Sequence, residues 1–153
     1  MSATLGPTVA PLLGARDFGR WFGEAWMLPK PEPFLAAVGA CLTDDVVSVQ
    51  PVVPTAHGPR EFLEVFRGLF RLLPDATAVD EVVAVEGDRV VVLAVVTGTA
   101  AGRPVSFRVS DHFTLVGDRI CRRETFTDPL TLLGQVVTRP AAWPAVVRMR
   151  LGR

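Results

Sequence analysis

The chain has 153 residues, 49% of them apolar, with sixteen basic side chains balanced by sixteen acidic ones. That length makes one ordinary domain able to bury about two-thirds of the surface its unfolded form exposes. The absence of net charge excludes the broad basic footprint of a nucleic-acid binder.

Cys41 and Cys121 are too far apart in sequence for a metal motif or a disulfide framework, and are expected as free thiols in a reducing cytoplasm. Fifteen Arg against the single Lys30, with one Ile and no Asn or Tyr, is the composition of a GC-rich, bacterial coding bias. Residues 1 to 12 are interrupted by Pro and Gly and are expected as a loose arm, with neither the basic leader of a secretory signal nor the length of a membrane span.

From Arg16 to Met27 the residues Phe18, Trp21, Phe22, Ala25 and Trp26 recur at the three-to-four spacing of an amphipathic helix. The stretch PKPEP, 29 to 33, breaks it. Phe34, Leu35, Val38, Ala40 and Leu42 predict a second helical segment ending at a solvated turn, Thr43-Asp44-Asp45. VVSVQ is a short strand stopped by Pro51. Gly58-Pro59 opens a third helix, whose apolar positions Phe62, Leu63, Val65, Phe66, Leu69, Phe70 and Leu73 are numerous enough to cover a sheet; His57 before it is expected in a capping or loop role.

Four β-rich runs follow, 77–86, 89–99, 105–115 and 119–127, joined by connections too short for a parallel crossover, so they predict an antiparallel meander. Asp128 and Pro129 then start helical material in two pieces, split at Arg139-Pro140, which suits a lid or a dimer contact. The order is α+β, with helices on one face of a curved antiparallel sheet. On the run 105–115, Val105, Phe107, Val109, Phe113 and Leu115 share one face with Asp111, a carboxylate in an apolar row.

Helices first, then LTDDVVSVQP, then HGPREFLEVFRGLF, then a meander ending VSDHFTLVGDRICRRETFTDP: in this order the chain resembles the NTF2-like superfamily, in particular its SnoaL-like polyketide cyclase and steroid Δ-isomerase branches. The resemblance implies a cone-shaped fold over 13–130 with a C-terminal helical extension, 131–153, one deep and mostly apolar pocket, and a homodimer. In the isomerase branch a general-base Asp precedes the Pro that ends the first strand, and Gln50 stands there. The Tyr of the first helix is matched by Trp21, or by Trp26 once the PKPEP insertion is allowed for. The Asp that bonds the substrate oxygen is kept as Asp111. In the cyclase and epoxide-hydrolase branches the working Asp falls on Thr125.

Two registers of the final hairpin remain possible. A two-residue Gly117-Asp118 turn sets Asp111 opposite Glu124. A three-residue loop sets Asp111 opposite Thr125, Phe113 opposite Arg123 and His112 opposite Glu124, and this one is preferred because it brings Thr125 to the family's pocket wall and turns His112 away. Unpaired in a dry pocket, Asp111 would be protonated and donate to a carbonyl; paired with Arg123 it would stay ionised.

These residues are compatible with two functions. One is a cyclase- or isomerase-type enzyme for a polyketide- or steroid-like carbonyl compound, with Asp111 and Arg123 catalytic and Trp21, Trp26, Gln50, Phe107, Val109, Phe113 and Thr125 binding substrate. It would need no cofactor, since proton transfers require only positioned acids and bases. The other is a ligand-binding or protein-interaction module. The sequence contains no phosphate loop, no metal-spaced cluster and no nucleophile elbow.

Overall fold

A computed structural model describes residues 8–138 and 140–151. Helix α1 (Phe18–Met27) follows a single 3₁₀ turn and buries Phe18, Trp21, Phe22, Ala25 and Trp26, the stripe expected from its period. Just before it Leu12 is buried, so the arm is tied to the core at its inner end; residues 1–7 lie outside the described residues.

Helix α2 (Glu32–Gly39) is shorter than its apolar pattern predicts, and strand β1 (Leu42–Val49) begins before the expected turn. Two interactions move that boundary. Ile120 N–H donates to the carbonyl of Cys41 at 2.7 Å, which pulls the chain into a sheet at once, and the ladder then skips between Leu42 and Val47. Thr43, Asp44 and Asp45 are therefore bulged strand residues, exposed at the two carboxylates, while Leu42 and Val46 face inward.

Strand β2 (Ala56–His57) runs into α3 (Gly58–Leu72). Gly58 has φ 77°, which its missing Cβ permits, and His57 N–H donates to Glu61 Oε2 at 2.8 Å, so backbone and Glu61 close the helix start while the His57 ring stays exposed. The meander consists of β3 (Thr77–Glu86), β4 (Arg89–Ala100), β5 (Arg103–Val116) and β6 (Arg119–Thr127), close to the expected ranges.

The strands form one sheet in the order β2-β1-β6-β5-β4-β3. The β1–β6 pair is parallel, unlike every other pair, because β1 enters the sheet only after α3 and three strands have carried the chain back alongside it. The helices pack on the concave face, and their aromatic side chains meet there: Phe18, Phe22 and Phe113 lie within 5.5 Å of one another by ring centroids, and Trp26 contacts Phe34, Phe66 and Phe70.

At the C-terminus α4 (Pro129–Val137) is capped by Asp128, whose Oδ1 accepts from Leu130 N–H at 2.9 Å. Gln135 accepts from Ser106 N–H and donates to Ser106 C=O, extending the edge of β5 beyond the end of β6. Helix α5 (Trp143–Leu151) packs against α3; Arg139, where the two pieces were expected to divide, lies outside the described residues.

Candidate functional site

The site is set by an irregularity in the last hairpin. Next to the Gly117-Asp118 turn the pairing is Val116 with Arg119 and Leu115 with Ile120, the two-residue register. One step further Thr114 pairs with Arg122, so Cys121 is an extra residue, and from there Asp111 faces Thr125, His112 faces Glu124 and Phe113 faces Arg123. Both registers deduced from the sequence are present, one on each side of a β-bulge. The bulge turns Arg123 and Thr125 inward and leaves Arg122 and Glu124 bonded to each other outside.

Asp111, Arg123 and Thr125 are 4, 7 and 8% exposed. Arg123 Nε donates to Asp111 Oδ1 at 3.0 Å and Nη2 to Oδ2 at 3.2 Å, a bidentate fork, while Thr125 Oγ1 donates to Oδ1. The guanidinium lies over the Phe66 ring at 4.7 Å, and Nη1 reaches Gln50 Oε1 at 3.5 Å. Asp111 is thus paired, and both its oxygens accept from Arg123 and Thr125. Arg123 has five N–H groups, and these contacts leave donors on its terminal nitrogens unused.

Beside this cluster lies a cleft of about 90 Å³ between the sheet, α3 and the 50–53 loop, walled by Trp26, Phe66, Leu69, Val96, Phe107 and Val109, with Gln50, Asp111, Arg123 and Thr125 on one side. Seven of the nine sequence-predicted residues meet there. Trp21 and Phe113 do not: both pack in the aromatic core against Phe18, because α1 turns Trp21 away from Trp26 and Phe113 lies under Phe18 and Phe22. The deep chamber implied by the resemblance is instead narrow, since Phe22, Trp26, Phe66 and Phe107 occupy its volume. A roomier hollow of about 450 Å³ lies on the opposite side of α3 under Arg148 and Leu151, but its polar lining, Arg60, Glu61, Glu64 and Arg71, includes surface groups already engaged in salt bridges, such as Glu64 with Arg71.

Among the described residues four buried polar side-chain atoms have no hydrogen-bond partner: Trp26 Nε1, Asp80 Oδ1, Ser48 Oγ and Thr43 Oγ1; Trp26 lines the cleft, while Asp80 and Ser48 stand beside it, opposite Ala94 and Arg123. Burial raises the Asp80 carboxyl above the usual carboxylate range, and the charge of Asp111 raises it further. Asp80 was not singled out from the sequence. Its signal is its parity: it shares the inward side of β3 with Ala78, one residue before the ladder shifts between Asp80 and Val82, and the string of valines hides that shift. His112 is outside, bonded to Ser110 Oγ through Nε2 at 2.9 Å and packed on Phe126, and both cysteines are free thiols. Among the described residues no cluster could hold a metal ion, and no helix is long and apolar enough to cross a membrane.

Comparison with known proteins gives the same fold. The profile of the SnoaL-like domain matches residues 32–123, more than half of the chain. The solved structure of a candidate SnoaL-like polyketide cyclase from Jannaschia sp. CCS1 superposes with a TM-score of 0.72 at 24% identity, covering 88% of this chain and all of that one. A hypothetical protein from Catenulispora acidiphila with a ketosteroid isomerase-like fold, solved with trimethylamine, gives 0.69 at 18% identity over 83% and 96% of the two chains. IdmH, a candidate polyketide cyclase from Streptomyces antibioticus, gives 0.66 at 21% over 80% and 98%. At these identities the likeness speaks for the fold alone. Curated proteins give no match. By its profile match over more than half of its length the chain belongs to the SnoaL-like domain family, and its structural neighbours share the NTF2-like fold.

Proposed function

We propose that the cleft beside Arg123 binds a small, largely apolar molecule through a carbonyl or enolate oxygen, and that the protein is an enzyme of SnoaL-like type carrying out acid–base chemistry on it. The observation that carries this reading is a guanidinium held at the polar side of an apolar cleft, with more N–H groups than Asp111 and Gln50 accept from, beside the buried Trp26 Nε1, which has no partner among the described residues. A buried donor without an acceptor costs about 1–3 kcal/mol, which folding alone does not explain and a ligand oxygen would repay. Asp111 and Thr125 are positioning residues that hold the guanidinium fork in place, and Arg123 takes the oxyanion-binding role expected of Asp111 from the sequence.

The size of the cleft sets a condition. At about 90 Å³ it is well below the roughly 300 Å³ at which ligand pockets begin, so a polyketide- or steroid-like ring enters only if Phe107, Leu69 or the 50–53 loop yields. A non-catalytic binding module is favoured by a different observation: Gln50 and Thr125 stand where the related enzymes have working carboxylates, and Asp111 is committed to Arg123. Native mass spectrometry of the purified protein, followed by titration of cyclohexanone into ¹⁵N-Arg and ¹⁵N-Trp labelled protein, tests the shared part. Shifts at Arg123 Nε and Trp26 Nε1 are expected; an unchanged spectrum at saturating ketone refutes the binding site.

A further inference from the structure

Asp80 stands at the end of a row that crosses the concave face: it pairs with Ala94, Ala94 with Val109, and Val109 with Thr127. The other three members of that row line the cleft, as does Ala78 on the same side of β3. Asp80 is not itself one of the lining residues; it stands beside the cleft wall, next to Ala78 and Ala94, and its buried Oδ1 has no hydrogen-bond partner among the described residues. Of the charged groups around it, Asp111 reaches it from β5; Arg20 and Glu24 on α1, which packs on β3, are bonded to each other at the surface, and the neighbouring Glu81 is held outside by Arg108.

We propose that Asp80 is the proton-carrying catalytic carboxylate of this cleft, acting on a carbon acid whose carbonyl oxygen is held by Arg123. The inference rests on the binding site proposed above and supplies the proton acceptor that Gln50 and Thr125 cannot be. Asp80 and Asp111 are two strands apart and two residues out of level, since Asp80 stands in the row of Val109, so their Cα atoms are about 12 Å apart; Arg123 is clamped to Asp111.

In the step, the Asp80 carboxylate takes a proton from the carbon next to the carbonyl. The C–H electron pair becomes the C=C bond of an enolate, and the carbonyl π pair moves onto the oxygen facing Arg123. The Asp80 carboxyl then returns the proton to carbon, so nothing is oxidised and no co-reactant is consumed. Burial and the Asp111 charge make Asp80 a stronger base than an exposed carboxylate, which suits it to this transfer.

The test follows exchange of the α-protons of cyclohexanone into D₂O by NMR, with the parent, Asp80→Asn and Asp80→Glu. The expected result is exchange above the buffer rate for the parent, lost by on the order of a hundredfold in Asp80→Asn and partly restored in Asp80→Glu. A second reading is taken on the parent alone: the Asp80 carboxyl ¹³C resonance should titrate above the free-Asp range and shift when the ketone is added. Thermal melting separates function from structure: burial penalises ionisation of Asp80, so Asp80→Asn should melt higher than the parent, whereas loss of a structural residue would melt lower. Ketone bound at Arg123 with equal exchange by parent and Asp80→Asn overturns the inference and leaves the binding site standing. Ketone not bound at all overturns both.

Discussion

At the residue scale the decisive contact is the Asp111–Arg123 fork. A buried ion pair is a poor source of net stability, since desolvating both ions offsets most of their attraction, but removing one partner strands the other. Asp111→Ala is expected to lower unfolding stability by about 3–5 kcal/mol in urea titration, and Asp111→Leu combined with Arg123→Met to recover most of that loss while abolishing ketone binding. If the double variant is as unstable as the single one, the pair contributes packing that its geometry does not reveal. Asp80 behaves in the opposite sense. Its folded-state pKa lies above its unfolded value, so its ionisation disfavours the folded chain: the penalty is absent below the unfolded pKa, grows as pH rises towards the folded pKa, and is complete beyond it. The stability gained by Asp80→Asn should accordingly be present at neutral pH and vanish in acid, which melting curves of parent and variant across that window would show.

At the scale of elements, a single residue, Cys121, decides which face of β6 meets the cleft. It lies between the two registers of the hairpin, its Sγ 3.3 Å from the carbonyl of Thr114. Deleting Cys121 would remove the extra residue and leave a continuous two-residue hairpin in which Thr114 still faces Arg122 and Asp111 still faces Thr125, so Arg123 and Thr125 stay inward. The deletion variant is expected to keep the near-ultraviolet dichroism of the packed aromatic core and its ketone binding; loss of either would show that the bend of the bulge is itself needed. A second constraint is the close passage of the α3–β3 connection over β4. A Cβ at Gly98 would stand 3.1 Å from Leu73 Cβ and 3.4 Å from Ala76 Cα, while Asp75 Oδ1 ties the same connection to Thr99 N–H. Gly98→Ala should therefore cost about 1–3 kcal/mol by overpacking, measured by the shift of the urea midpoint.

At the scale of the molecule, the convex face of the sheet exposes the row Val82, Leu93, Ser110 and Phe126, with Phe126 53% exposed. The pairs Arg108–Glu81 and Arg122–Glu124 accompany it, so acid and base are both present for a two-fold, self-complementary contact. Sedimentation equilibrium is expected to give twice the chain mass, and Phe126→Glu to give the chain mass; a monomeric parent would count against the dimer implied by the resemblance.

The sequence alone determined the large features. Apolar periods of 3.6 and 2 marked α1, α3 and the four-stranded meander, because a residue's side of a helix or strand follows from its number. The same parity placed Asp111 on the apolar face, and the order of motifs led to the family. What the tertiary structure decided depends on contacts between distant segments. The start of β1 was set by Ile120, the parallel seam by β6, the pairing of Asp111 by the Cys121 bulge, and the lack of a partner for Asp80 Oδ1 among the described residues by what packs around it, with Ala94 opposite on β4. One extra residue in a strand reverses every side chain beyond it, and whether a buried carboxylate finds a partner depends on what packs opposite. Neither is written in the local pattern of the strand that carries it.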